Sequence, residues 1–273
     1  MSMDPEDWFS DYVRGFYTGI EEDDRNIELK EVHTRCVRGN MERLCAALCL
    51  DAENRRLADN IALFHDIGRF EQYRKYRTFS DRKSVNHALL GVRVLARYKV
   101  LAGLPDQARR IVLRAIAFHN AAELPLSSTG IERTLMQLIR DADKLDIWRV
   151  VTTYYHRKDR TSNKTVELDL PDTAEWNPKI LEALMSHRFA RLADMRTLND
   201  FKLLQIGWVY DLNCGESFRI VQERGYIEAI AETLPDAPEI RAAVQEALRY
   251  IADPPLTRNV HGGVATAVDE NPT

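Results

Sequence analysis

Apolar residues recur at spacings of three and four through nearly the whole chain, and that 3.6-residue period confines it to helices packed on helices. The period marks helices over about 29–50, 52–64, 84 onward, 106–118 and 131–151, and again over 180–192, 201–210, 218–231 and 240–250. Ser84 is the expected N-cap of the third, and Gly68, just after the second, suits a helix end or a close backbone approach. Between the two groups, 157–177 reads as a polar connection with a short extended piece at 166–170. The fold expected is all-α: a helical bundle over about 29–151 with additional C-terminal helices over 180–251. Both sides of the connection carry apolar faces that need partners, so 1–254 is expected to form a single domain. The segment 255–273, with His261, has too little apolar content to pack and is expected to be a mobile tail.

Composition narrows the partners. With 38 basic against 42 acidic residues the net charge is -4, so no global positive field draws in a nucleic acid polymer. The N-terminal stretch MSMDPEDWFSDYVRG is acidic where a secretory signal is basic, and no run approaches the ~20 apolar residues of a membrane span. A cytoplasmic protein without a membrane partner is expected. Cys36, Cys45, Cys49 and Cys214 form no CxxC pair and read as reduced packing residues. The sequence sets no oligomeric state.

Against this background six side chains stand out: His33, His65, Asp66, His87, His119 and Asp143. Except for the adjacent pair, each lies on or at the end of a different helix and on its inward side, which is what a metal site in a bundle core requires. Singly, each histidine has an ordinary reading as a hydrogen-bonded core residue. Jointly, four imidazoles and two carboxylates point to one or two divalent cations, among which iron, manganese, zinc, nickel and magnesium stay open. Asp141 and Asp146 flank Asp143 and are expected to be solvated or salt-bridged helix charges, and Lys144 is expected to pair with neighbouring aspartates. Between Asp66 and His87 run Arg69, Arg74, Lys75, Arg77, Arg82 and Lys83 against only Glu71 and Asp81, a basic rim suited to an anionic substrate. Arg69, four residues after His65, and Lys83, four before His87, are the two expected to reach the site.

The segments VHTRCVRGN, LFHDIGRF and RDADKLD resemble the H…HD…D ligands of the HD superfamily, and His87 in SVNHALLG and His119 in AFHNAAELP look like the extra ligands of its two-metal members. The resemblance implies His33, His65, Asp66 and Asp143 on one metal, with Asp66 bridging to a second held by His87 and His119. It implies a phosphohydrolase cleaving a small phosphorylated metabolite or nucleotide by a metal-bridging hydroxide, with Arg69 or Lys83 on the phosphate. Asn120 follows His119 and no GYP element occurs, unlike the cyclic-dinucleotide phosphodiesterases. Arg69 and Phe70 stand where the alarmone hydrolases carry an acidic pair. Two other readings are weighed: a mixed-valent di-iron oxygenase on the same ligand set, and a non-catalytic sensor module, which ordinarily lacks some ligands.

Overall fold

A computed structural model describes residues 4–157, 163–188 and 190–254; the expected tail and His261 lie outside them. Among the described residues every regular element is helical, so the chain is all-α. The elements are α1 (Pro5–Arg14), α2 (Glu21–Ala47), α3 (Ala52–Phe64), α4 (Gly68–Tyr76), α5 (His87–Arg97), α6 (Asp106–Phe118), α7 (Gly130–Tyr155), α8 (Lys164–Glu167), α9 (Pro178–Met185), α10 (Leu198–Gly207), α11 (Gly215–Arg224), α12 (Tyr226–Ala231) and α13 (Pro238–Ala252). Short 3-10 turns cover Asp81–Lys83, Leu192–Asp194 and Trp208–Asp211. No described helix is long and apolar enough to cross a membrane.

The long helix α7 is the axis. Leu135, Met136, Leu138, Ile139, Ala142, Leu145 and Trp148 are buried on several of its faces, as befits a helix packed from more than one side. On one side α2, α3 and α6 pack against it; α11 and α12 cover another, and α9, α10 and α13 close over these. The indole of Trp148 donates to the Gln205 carbonyl of α10 at 3.0 Å, tying the later helices to the axis.

Local chemistry explains most boundaries. Asp51 caps α3 by accepting from Asn54 N, and Thr197 and Asp200 form a reciprocal capping box on α10. The N-cap of α5 is Asn86, which accepts from Leu89 N at 2.9 Å, rather than the expected Ser84; the Ser84 hydroxyl instead donates to the Ser80 carbonyl. The acids Glu21, Glu22, Asp23 and Asp24 extend α2 a full two turns ahead of its apolar pattern, because acidic side chains favour a first turn. The expected extended piece at 166–170 is absent: Leu168 and Asp169 take left-handed backbone (φ 55° and 57°), which turns the chain after α8. Gly225 (φ 59°) splits the expected 218–231 helix into α11 and α12.

One acidic side chain binds the C-terminal helices to α7. Asp141, expected as a solvated or salt-bridged charge, is fully buried and accepts from the backbone of Asn213 and Cys214, from Asn213 Nδ2 and from the Ser217 hydroxyl. Burial raises its pKa, and the four donors are what make the carboxylate tolerable there. Asp141→Ala strands those donors and is expected to destabilise the fold by about 2 kcal/mol. Urea unfolding measures this; an unchanged midpoint would mean the cradle is dispensable.

Candidate metal centre

The six singled-out side chains meet in one place. His33 comes from the middle of α2, His65 and His119 are the C-cap residues of α3 and α6, His87 opens α5, and Asp143 sits mid-way along α7. Asp66 follows His65 in the turn to α4. All four histidines and Asp66 are buried, and Asp143 keeps 19% of its side-chain surface exposed.

Every imidazole is held from behind through Nδ1. Those of His65 and His119 donate to the carbonyls of Ala62 and Ile116, each at 2.8 Å, both in the last turn of their helices. The His33 Nδ1 donates to Asp146 Oδ2 at 2.6 Å, and the His87 Nδ1 to Asp81 Oδ2 at 2.8 Å. Because carbonyls and ionised carboxylates only accept, all four Nδ1 atoms carry a proton, and the four Nε2 atoms are the ones turned inward, where a metal could take them.

Those Nε2 atoms converge. The Nε2 atoms of His33 and His65 lie 3.3 Å apart, and those of His87 and His119 3.0 Å apart. Asp143 Oδ1 is 3.1 Å from His33 Nε2 and 3.8 Å from His65 Nε2. Asp66 divides itself between the pairs: Oδ2 lies 3.5 Å from His33 Nε2 and 3.8 Å from His65 Nε2, while Oδ1 lies 3.2 Å from His87 Nε2 and 3.9 Å from His119 Nε2. Two triads result, His33–His65–Asp143 and Asp66–His87–His119, and each suits one cation.

Protons are poor substitutes for cations at most of these atoms. Burial keeps the His65 ring below its ordinary pKa and, with His87 and His65 alongside, drives His119 down to about 3. Burial and Lys30 also oppose a charge on His33, but Asp143 and Asp146 outweigh them and raise its pKa. Burial works against the Asp66 anion too, yet Lys30, Arg69 and His65 hold its pKa well below the carboxylate range. Imidazoles together with ionised carboxylates fit divalent transition ions.

The expected basic rim disperses. Arg74 lies over the Phe16 ring, Lys75 over Tyr76, and Arg77 pairs with Asp23. Lys83, expected on the substrate phosphate, is turned to an ion pair with Asp169 and is half exposed, because the 3-10 turn at Asp81–Lys83 points Asp81 toward the cluster and Lys83 away from it. Arg69 does reach the site: Nε donates to Asp66 Oδ1 at 3.2 Å, and Nη1 to Gln72, Asp81 and the Phe79 carbonyl. Lys144 forms its ion pair not with the neighbouring aspartates of α7 but with Asp211, which also receives Arg140.

Three residues escaped the sequence reading. Lys30 Nζ donates to Asp66 Oδ2 at 2.7 Å; it lies one turn before His33, so helical spacing alone put it on the ligand face. Asp146, read as an ordinary helix charge, lies one turn after Asp143 and carried the same signal. Asp81 had none, since it acts from an irregular turn; burial pushes its pKa up, but His87 and Arg69 bring it down to about 2. Asp81→Asn and Asp146→Asn are each expected to weaken metal binding by about 10–100-fold, by removing the charge behind an imidazole. Competition against a chelator measures it, and unchanged affinity in both variants would refute the ligand role of His87 and His33.

Residues 36–148 match the family model of the HD domain, a span that includes five of the six side chains and begins three residues after His33. No curated protein and no solved structure matches the chain.

Proposed function

We propose, from the HD-domain match over residues 36–148, that this chain is a metal-dependent phosphohydrolase acting on a phosphate ester of a small metabolite or nucleotide. The observation that carries the proposal is the convergence of four Nε2 atoms and two carboxylates, each imidazole fixed from behind. Asp66, with one oxygen toward each triad, is the residue suited to bridge two cations. Bound divalent ions, whether iron, manganese, zinc, nickel or magnesium, would supply Lewis acidity and water ionised at neutral pH.

The protein's own groups do the rest. Asp143 and Asp66 offset the positive charge of the centre, and Asp81 and Asp146 hold the His87 and His33 rings in one tautomer. Arg69 Nη2 has no hydrogen bond among the described residues and is free to take a phosphate oxygen. The buried walls restrict water, which strengthens each of these interactions. The expected partner is a small phosphorylated molecule and not a nucleic acid polymer. Phosphate release from a panel of sugar phosphates and nucleotides, with chelated protein and with protein reloaded in turn with each metal, is the test. Release that returns with metal supports the proposal; none with any metal sinks it.

A further inference from the structure

Two cations rest on the one carboxylate that stands between the triads. Lys30 Nζ lies on Asp66 Oδ2 at 2.7 Å and Arg69 Nε on Oδ1 at 3.2 Å, so one cation flanks each half of the centre. The Phe79 ring packs beside both, its centroid 5.3 Å from Nζ and 5.9 Å from the Arg69 Cζ. Their side chains are 14% and 16% exposed: largely dehydrated, but open to a molecule that enters the site.

Orienting Asp66 does not require both. Arg69 is itself anchored by Gln72, Asp81 and the Phe79 carbonyl, and it holds Asp66 from a fixed position. A second, mostly buried ammonium carries a desolvation cost that one carboxylate already served by Arg69 does not explain. An ammonium has three N–H groups, and among the described residues Asp66 is the only hydrogen-bond partner of Lys30. Two donors are left, on a flexible stem, beside the triad His33–His65–Asp143.

We propose that Lys30 is a specificity-determining residue: its ammonium takes a non-bridging oxygen of a terminal phosphate and, with Arg69, forms a two-cation clamp that selects phosphomonoesters over phosphodiesters. The inference rests on the phosphohydrolase proposal above. A terminal phosphate near neutral pH carries a charge of about -1.5 to -2 and three non-bridging oxygens. A diester has one charge and two such oxygens. The additional cation therefore gains most with the monoester, and its loss removes preference as well as rate.

The test compares p-nitrophenyl phosphate with bis(p-nitrophenyl) phosphate on metal-loaded wild type, Lys30→Met, Lys30→Gln and Lys30→Arg, with metal counted in each. Wild type should prefer the monoester. Lys30→Met should lower the monoester-to-diester ratio of kcat/KM by about 10–100-fold, largely through KM, with metal content retained. Lys30→Arg should restore much of the ratio. Equal loss with both esters, loss of metal from the Met and Gln variants alike, or a wild type that prefers the diester overturns the clamp. If metal-loaded wild type cleaves neither ester, the phosphohydrolase proposal itself falls, and the clamp with it.

Discussion

Asp66→Ala should empty both halves of the metal centre and lower phosphate-ester hydrolysis about a thousandfold or more. The size follows from the several kcal/mol that Lewis-acid stabilisation supplies, at about 1.36 kcal/mol per factor of ten. Among the described residues no other side chain presents one oxygen to each triad, with Oδ2 near His33 and His65 and Oδ1 near His87 and His119. The fold should survive, because Lys30 and Arg69 are near enough to the surface to reach water once their anion is gone. By contrast His87→Ala or His119→Ala should cost one metal equivalent and leave the triad of His33, His65 and Asp143 loaded. Elemental analysis alongside circular dichroism reads all three; full occupancy in a folded Asp66→Ala protein would contradict the bridging role.

Gly68→Ala should cost more than about 3 kcal/mol and lower the melting temperature by roughly 10 °C. A Cβ on Gly68 would lie inside the contact distance of the His87 carbonyl oxygen and 2.6 Å from the Gly91 nitrogen, and both are backbone atoms that no rotamer change can clear. The gain of about 1 kcal/mol in helix propensity from alanine is too small to offset that overlap. Relief requires α4 and α5 to separate, and His87 is the first residue of α5, so the Asp66–His87–His119 triad should weaken with the packing. Gly91→Ala is the graded control: its Cβ would be 3.2 Å from the Ile67 Cγ2 methyl and 3.3 Å from Gly68 N, a milder clash. Thermal denaturation with a metal titration checks both, and a Gly68→Ala protein as stable as wild type would show that the two helices are not pinned by this contact.

The legible parts of the chain were those governed by periodicity and by strong local chemistry. The bounds of α3 and α6 could be read because Asp51 caps the first and the apolar period of the second stops at Phe118, with the polar turn following. The six clustered side chains were readable for the same reason, since each lies on an apolar helix face or at a helix end. What escaped depended on tertiary direction. The cations between 69 and 83 form a single run in sequence, but α4 and the 3-10 turn send Arg74, Arg77 and Lys83 to three different partners and bring Arg69 to Asp66. Asp141 and Asp146 looked alike as acids flanking Asp143; the first turns to the C-terminal helices and the second to His33, a difference set by which neighbour each face of α7 meets. The turn at Leu168 and Asp169 went unread because left-handed backbone at non-glycine residues leaves little trace in composition.

The central claim is that the converging acceptors hold divalent cations on which phosphate-ester hydrolysis depends. Metal counted per chain, against hydrolysis of p-nitrophenyl phosphate, while exhaustively chelated protein is reloaded stepwise, tests it most directly. The expected result is saturation at two equivalents, no turnover in the chelated protein, and turnover rising as Asp66, His87 and His119 fill. Undiminished hydrolysis after chelation, or two equivalents bound with oxygen uptake and no phosphate release, would contradict it.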